Sequence, residues 1–391
     1  MSTDVTTPFT ESEERRELRA QVAKLAGKYG REWFAERARA GEKTTDLWLE
    51  IGRTGYLGIN IPEQYGGGGG GIGDIAAVCE ELAAQGCPLL LMVVSPAICG
   101  TIITRYGTEE QKQRWLPGIC DGTGTMAFAI TEPDAGTNTH NITTTARRDG
   151  DEWVLSGQKV FISGVDEADN LLVVARAEDA TTGKVKPVLF VVPTDAAGLE
   201  YRPIPMEIVS PEWQFQVFFD DVRLPGDALV GDEDGGLVQL FAGLNPERIM
   251  AASFSTGLAR YALAKATAYA SERTVFKDAI GAHQAIAHPL AESHIEIELA
   301  RLMTQKAAAL YDAGDDMAAG EAANMAKYAA AEAACHAADR AVQTHGGNGI
   351  TQEYGMAGLL VATRAGRIAP VSREMILNFV SMHSLGLPKS Y

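Results

Sequence analysis

Cysteine is scarce, with five in 391 residues (Cys79, Cys87, Cys99, Cys120, Cys335), an odd number at scattered spacings and without a CxxC pair. That pattern excludes a disulfide framework or a zinc ribbon, and buried thiols in a reducing cytoplasm are the expectation. Basic charge is also short. Against 51 Asp and Glu stand 34 Lys and Arg, a formal charge of −17 that disfavours a nucleic-acid partner, because neutralising phosphates takes a basic surface. Long apolar runs are missing: the longest, near Pro88–Val94, is far shorter than the ~20 residues a bilayer-spanning helix needs. The first 14 residues are polar and acidic, so neither a secretory leader nor a membrane anchor is expected. HExxH, GxSxG and GxxxxGK[ST] are absent, which removes zinc-protease, serine-hydrolase and P-loop chemistry. No grouping has metal-ligand spacing, and no metal is expected.

What is present falls into three stretches. From Ser12 to Ile119 apolar residues recur at three- and four-residue spacing, as in Glu13–Arg37 and Asp74–Ala84, and predict helices. The Gly66–Gly71 run resembles a phosphate cradle but follows Pro62-Glu63-Gln64-Tyr65 instead of a strand, so a flexible surface loop is expected. From Thr123 the period changes. Met126–Ile130, Glu152–Leu155, Val160–Ile162, Asn170–Ala175, Val188–Val192 and Gln216–Phe219 are short β-rich runs broken by Gly, Asp and Pro, and predict a compact antiparallel β domain. After Gly235 come Ala-rich helical stretches over Pro246–Ser271, His283–Ala313, Ala318–His345 and Ser372–His383. The expected fold class is a multidomain α+β protein: an N-terminal helical domain over residues 1–123, a middle antiparallel β domain over 124–236 and a C-terminal four-helix bundle over 237–391.

Several strings within this order carry a resemblance. They are Gly55–Gly66, Tyr106–Lys112 with Trp115-Leu116-Pro117, Phe128–Thr137 (FAITEPDAGT), Gly157–Ser163 (GQKVFIS), Glu272–Phe276 with His283-Gln284, and Gln343–Gly349 (QTHGGNG). Together they resemble the acyl-CoA dehydrogenase flavoprotein family over nearly the whole chain. The resemblance implies FAD as cofactor, with Ile130 and Thr131 near the pyrimidine side of the ring, Phe161 against the ring, Ser163 near N5, Phe128 among the cofactor-binding residues and Thr137 shared with substrate. It also implies that Arg273, Phe276, Gln284, Gln343, Gly346 and Gly347 reach the diphosphate and adenosine of a neighbouring subunit's FAD. A homotetramer built as a dimer of dimers, an acyl-CoA substrate and electron-transfer flavoprotein as partner follow from the same resemblance. The family's usual Trp and Thr are Phe161 and Ser163 here. A flat apolar wall with a polar edge is what an isoalloxazine needs, and an arginine suits an anionic diphosphate.

Removing a proton from the carbon beside a thioester needs a carboxylate. The family's usual base position, counted from Arg364, falls on Arg373. Two carboxylates remain. Glu247, in Leu244–Met250, matches the segment from which the isovaleryl-CoA and long-chain branches project their glutamate. Glu374 lies next to the usual position, at the predicted start of a helix, where it complements the helix dipole. Glu247 is therefore the first candidate and Glu374 the second, with Asn245 and Arg248 implied as substrate contacts. Locally, Asn245 reads as an N-cap, Pro246 as the first helical residue and Glu247 as a first-turn carboxylate. The expected activity is dehydrogenation of an acyl-CoA to the trans-2-enoyl-CoA. A flavin monooxygenase or oxidase, an enoyl-CoA reductase and a silent binding relative remain the rival readings.

Overall fold

The Ser12 hydroxyl accepts the Arg15 N–H at 3.2 Å, and Glu13 and Glu14 follow in the first turn, so the first helix begins with a side-chain cap and favourable charge. The computed structural model describes residues 11–178, 183 and 185–389; the outermost residues expected for the first and last domains lie outside this set. Helix α1 spans Glu13–Ala26 and α2 Gly30–Ala40. The single helical stretch expected over Glu13–Arg37 is thus two helices, interrupted at Gly27 and at Gly30, whose φ is +73°. Helices α3 (Thr45–Arg53) and α4 (Ile72–Ala84) follow. The glycine run before α4 is a surface loop but a fixed one, since the amides of Gly68, Gly69 and Gly70 donate to the carbonyls of Gly58, Ile61 and Ile59.

The chain from Leu90 to Tyr106 is one helical rod: α5 (Leu90–Met92), a π-helical segment Val93–Gly100 containing Pro96, and α6 (Thr101–Tyr106). Its first amides, Leu90 and Leu91, donate to the Glu212 carboxylate at 2.6 and 2.8 Å, a cap supplied by the middle domain. Helix α7 (Glu109–Asp121) leads into the sheet.

Eight strands form that sheet: β1 (Met126–Ala129), β2 (Thr145–Asp149), β3 (Glu152–Ser163), β4 (Asn170–Glu178), β5 (Val185–Pro193), β6 (Leu199–Ile204), β7 (Gln214–Pro225) and β8 (Leu229–Val230). The order is β6-β7-β3-β2-β4-β5-β8, with β1 pairing β4. The antiparallel expectation needs correction, because β1 runs parallel to β4 and β2 shares one parallel pairing with it. Hairpin neighbours must be antiparallel, whereas β1 and β4 are separated by a connection long enough to return in the same direction. The runs expected separately at Glu152–Leu155 and Val160–Ile162 form one strand, β3, with register shifts at 155/157 and 159/162. Alternation sorts β1 between two cores. Met126, Phe128 and Ile130 pack with the helices, while Ala127 and Ala129 pack within the sheet's own core.

The bundle holds three long helices, α8 (Gly236–Glu272), α9 (Gln284–Asp312) and α10 (Asp316–His345), and two short ones, α11 (Met356–Ala365) and α12 (Arg373–Phe379). Between α8 and α9 lies a small hairpin of β9 (Thr274–Val275) and β10 (Asp278–Ala279). Buried alanines, among them Ala259, Ala262 and Ala266 of α8 and Ala330, Ala334 and Ala338 of α10, let the long helices pack closely. Asn245 is no N-cap and Pro246 no helix start: both lie inside α8, which begins earlier, at Gly236. Proline supplies no N–H to the Ala242 carbonyl one turn back. The Tyr311 hydroxyl of α9 takes that role, donating to Ala242 O at 2.7 Å. The helix therefore continues through the proline with its carbonyl satisfied.

Candidate active site

The two strings expected around the ring meet through charge. The Lys159 ammonium donates to the Glu132 carboxylate at 2.8 Å and to the Ile130 carbonyl at 2.9 Å, with both charged side chains almost fully buried. Glu132 also accepts the amides of Thr143 and Thr144, and these contacts hold its carboxyl at about 2 despite burial. Beside this staple the Val160 N–H donates to the Thr131 carbonyl at 2.9 Å. Thr131 and Phe161 are thereby held at one edge of the sheet. Phe161 has φ +57° and is 56 % exposed, a conformation and an exposure both unusual for a strand aromatic. Ser163, two residues on, exchanges hydrogen bonds with Gln214 at 3.0–3.1 Å. Ile130 and Phe128 are buried, Phe128 among the helical core residues, and Thr137 is exposed.

The second expected group gathers elsewhere, at the end of the bundle where α8 stops, α9 starts and α10 stops. Arg273, Gln284, Gln343, Gly346 and Gly347 are exposed there, and Phe276, at φ +63°, is 97 % exposed. Tyr269 stacks on His345 with ring centroids 4.4 Å apart and accepts from Asn348 at 3.1 Å, tying the α8 end to the glycine turn. A Cβ added to Gly346 or Gly347 would meet open space. No hydrogen bond or ion pair joins this group to the sheet-edge group among the described residues.

Glu247 stands in the middle of α8, not in a first turn. Gly243, one turn earlier on the same face, touches the helical rod so closely that a Cβ would come within 2.5 Å of Ile102 Cδ1. Glu247 shares that environment: its charge acts on the buried Cys99 thiol of the π-helical segment. Burial pushes the Glu247 carboxyl up to about 7, opposed by the charges of Arg248 and Lys327. The residue as a whole is half-buried. Arg248 gives one N–H to the Leu244 carbonyl at 2.9 Å and leaves its buried Nε without a partner. Asn245 turns instead to the neighbouring helix, donating to Asp316 O at 3.1 Å.

Glu374 is placed differently. Ser372 caps α12 through the Met375 amide, and the Glu374 side chain in that first turn is 71 % exposed. Arg373 turns to Glu332 of α10 at 3.0 Å, where Arg367 already forms a two-pronged contact at 2.8 Å. Two buried lysines, Lys159 and Lys327, carry weight here without a role having been read from sequence. The available signal was a cation at helical spacing among alanines, with Lys327 between Ala323, Ala326, Ala330 and Ala334. None of the five cysteines forms a disulfide; four are buried and Cys335 is half-buried.

Three family models cover most of the chain: acyl-CoA dehydrogenase N-terminal domain at residues 12–123, middle domain at 127–222 and C-terminal domain at 234–385. The chain belongs to the acyl-CoA dehydrogenase family. It is 63 % identical over 385 residues to acyl-CoA dehydrogenase FadE12 of Mycobacterium tuberculosis, covering 98 % of this chain and 99 % of that protein. It is 32 % identical over 349 residues to the long-chain specific mitochondrial acyl-CoA dehydrogenase of Sus scrofa, covering 89 % and 81 %. Among solved structures it resembles a Mycobacterium smegmatis glutaryl-CoA dehydrogenase in complex with FADH2, with TM-score 0.89, 27 % identity and coverage of 99 % and 98 %. As a member of this family the protein is an FAD-dependent oxidoreductase. The residues present fit the cofactor: an exposed aromatic in strained backbone at a sheet edge offers a ring wall, and an exposed arginine beside a turn of open glycines offers a diphosphate cradle. Among the described residues no helix is long and apolar enough to cross a membrane.

Proposed function

We propose that this acyl-CoA dehydrogenase converts an acyl-CoA thioester to the trans-2-enoyl-CoA, with Glu247 as the general base and electron-transfer flavoprotein as the electron acceptor. One observation carries the base assignment: Glu247 is the carboxylate that burial brings to about 7, while Glu374 faces solvent. A base with that affinity is about half ionised at neutral pH, so it can both accept a proton and hold it. Bound FAD supplies the acceptor for the β-hydride. The chain's own residues do the rest. Arg248, with its buried unpartnered Nε, offers a donor to the substrate's polar groups. Phe161, Ile130, Thr131 and Ser163 orient the ring, with Phe128 supporting from the core and Thr137 near the substrate. Arg273, Phe276, Gln284, Gln343, Gly346 and Gly347 hold the diphosphate and adenosine of a neighbouring copy's FAD, in a homotetramer. Their separation from the sheet-edge group within one chain supports that sharing. The position of Glu247, together with the likeness to the long-chain enzyme, supports a long or branched acyl group.

Glu247→Gln tests the assignment. In anaerobic stopped-flow mixing with a panel of straight and branched acyl-CoA thioesters, the variant is expected to keep its FAD and lose flavin reduction by a factor on the order of 10² or more. Near-normal reduction in that variant overturns the base assignment.

A further inference from the structure

A serine hydroxyl carries one proton and two lone pairs, so its neighbours decide which way it points. Ser163 ends β3, where Ile162 packs into the sheet core and the residues on either side of it, Phe161 and Ser163, turn to the opposite, open face. Gln214, the first residue of β7, pairs directly across from Ser163, and Phe215 after it is again buried in the sheet core. The exposed Phe161 ring, the Ser163 hydroxyl and the Gln214 amide therefore share one face at the sheet edge. The amide meets the hydroxyl with both of its polar atoms: Nε2 donates to Ser163 Oγ at 3.0 Å, and Ser163 Oγ donates to Oε1 at 3.1 Å. The backbone leading into Gln214 is held from several sides. The Glu212 carboxylate takes the Leu90 and Leu91 amides of the rod, and the Trp213 carbonyl accepts the Gly164 N–H at 2.8 Å. Lys43, from between α2 and α3, donates to the Pro211 carbonyl at 3.2 Å, with its ammonium 5.3 Å from the centre of the Trp213 ring.

We propose that Gln214 is a positioning residue for the cofactor: its amide serves the Ser163 hydroxyl as donor or as acceptor, so that the hydroxyl can donate to an oxidised flavin and accept from a reduced one. The inference rests on the reading that Ser163 lies at the N5 edge of bound FAD. An oxidised isoalloxazine presents N5 as an acceptor, whereas the reduced ring carries a hydrogen there and presents a donor. A hydroxyl facing that atom must reverse its role between the two states. When Oγ–H points to the ring, the Gln214 Nε2–H fills an Oγ lone pair; when Oγ accepts from the ring, its own proton goes to Gln214 Oε1. Only the hydroxyl rotates, and no bond to hydrogen is made or broken in either residue. A primary amide offers both functions without carrying charge. Removing it weighs unequally on the two states. With oxidised flavin an Oγ lone pair goes unfilled, but with reduced flavin a covered hydroxyl proton is left without an acceptor, the costlier defect.

The test places Gln214→Met and Gln214→Leu in the FAD-loaded full-length protein and repeats each in a Ser163→Ala background. The ratio of oxidised to reduced flavin is read in anaerobic equilibrium with a redox dye, without acyl-CoA. Loss of one ordinary hydrogen bond from the reduced state is expected to shift that ratio about fivefold toward the oxidised form, or roughly 20 mV for a two-electron couple. Without the Ser163 hydroxyl the same replacements should leave the ratio within about twofold. An unmoved ratio in both Gln214 variants overturns the proposal, as does an equal shift in the Ser163→Ala background. Loss of FAD from both variants would make the residue architectural and overturn it too. Ser163→Ala alone reports on the underlying reading: if the ratio and the visible flavin band both stay unchanged, Ser163 is not at the ring and that reading falls. A response to Ser163→Ala with none to either Gln214 replacement removes this inference alone.

Discussion

The molecule buries two sets of opposed charges, and they are built in opposite ways. At the sheet edge Glu132 and Lys159 are in direct contact, and their remaining hydrogen-bonding capacity goes to the Thr143 and Thr144 amides and the Ile130 carbonyl. In the bundle Glu247, Arg248 and Lys327 share an interior without direct ion pairs, Arg248 Nε has no partner, and Glu247 is pushed up to about 7. A satisfied buried network fixes one geometry; a frustrated one keeps a proton site poised and donors free. The first set joins the two strings expected to face the flavin, and the second fits the proposed chemistry. Removing a member therefore has different consequences at each place.

The largest effect is expected at the staple. Lys159→Met leaves the Glu132 carboxylate buried and unpaired, a change that typically costs about 3–5 kcal/mol. It also frees the Ile130–Thr131 turn from the strand bearing Phe161, so FAD content should fall along with the midpoint of chemical unfolding. A variant that keeps both near parental values would show that the backbone contacts alone hold the two strings together. Glu132 adds a sign of its own. With its carboxyl held near 2, it contributes stability above the ordinary carboxylate range, lost as pH falls toward 2.

This staple also marks the limit of what could be read in the sequence. FAITEPDAGT and GQKVFIS stood out in the sequence as expected flavin strings, but Glu132 and Lys159 could not be matched to each other because their contact depends on how β3 bulges beside the β1 turn. Three segregated layers were legible from the change of period at Thr123 and Gly235, since a half-buried strand and an amphipathic helix repeat differently. The parallel pairing of β1 was not, because strand direction depends on a partner more than forty residues away. Asn245-Pro246-Glu247 misled in an instructive way. Read locally it is a helix start, and only Tyr311, from another helix, lets α8 run through the proline. Glu247 was legible as a candidate through the vacancy left by Arg373, whereas Lys327 offered only the weak signal of a cation at helical spacing among alanines.

The next effect concerns pH. If the poised site is the working one, the second-order rate of flavin reduction by a saturated straight-chain acyl-CoA should rise with pH to half its plateau near 7, because only ionised Glu247 accepts the proton. Two units below that midpoint roughly 1 % of the base is ionised, so the rate at pH 5 should be about a hundredfold below plateau. A limb lying near the ordinary glutamate value of about 4.3, with pH 5 almost unaffected, would overturn Glu247 as the base. The position of this single limb thus decides which carboxylate is at work without any substitution.

The smallest effect is expected at Glu374, and its smallness sharpens the contrast. Its side chain is 71 % exposed in the first turn of α12, where Ser372 already supplies the cap to the Met375 amide. Glu374→Gln removes a charge that complements the helix dipole, a contribution of about 0.3–1 kcal/mol that exposure and salt reduce. It leaves the side-chain volume nearly unchanged. Flavin reduction at pH 8 should stay within about twofold of the parent, with the pH limb unmoved, while Glu247→Gln under the same conditions loses reduction. Were Glu374→Gln to abolish reduction while Glu247→Gln kept it, the frustrated buried set would be structural after all, and the start of α12 would have to turn its carboxylate into the site.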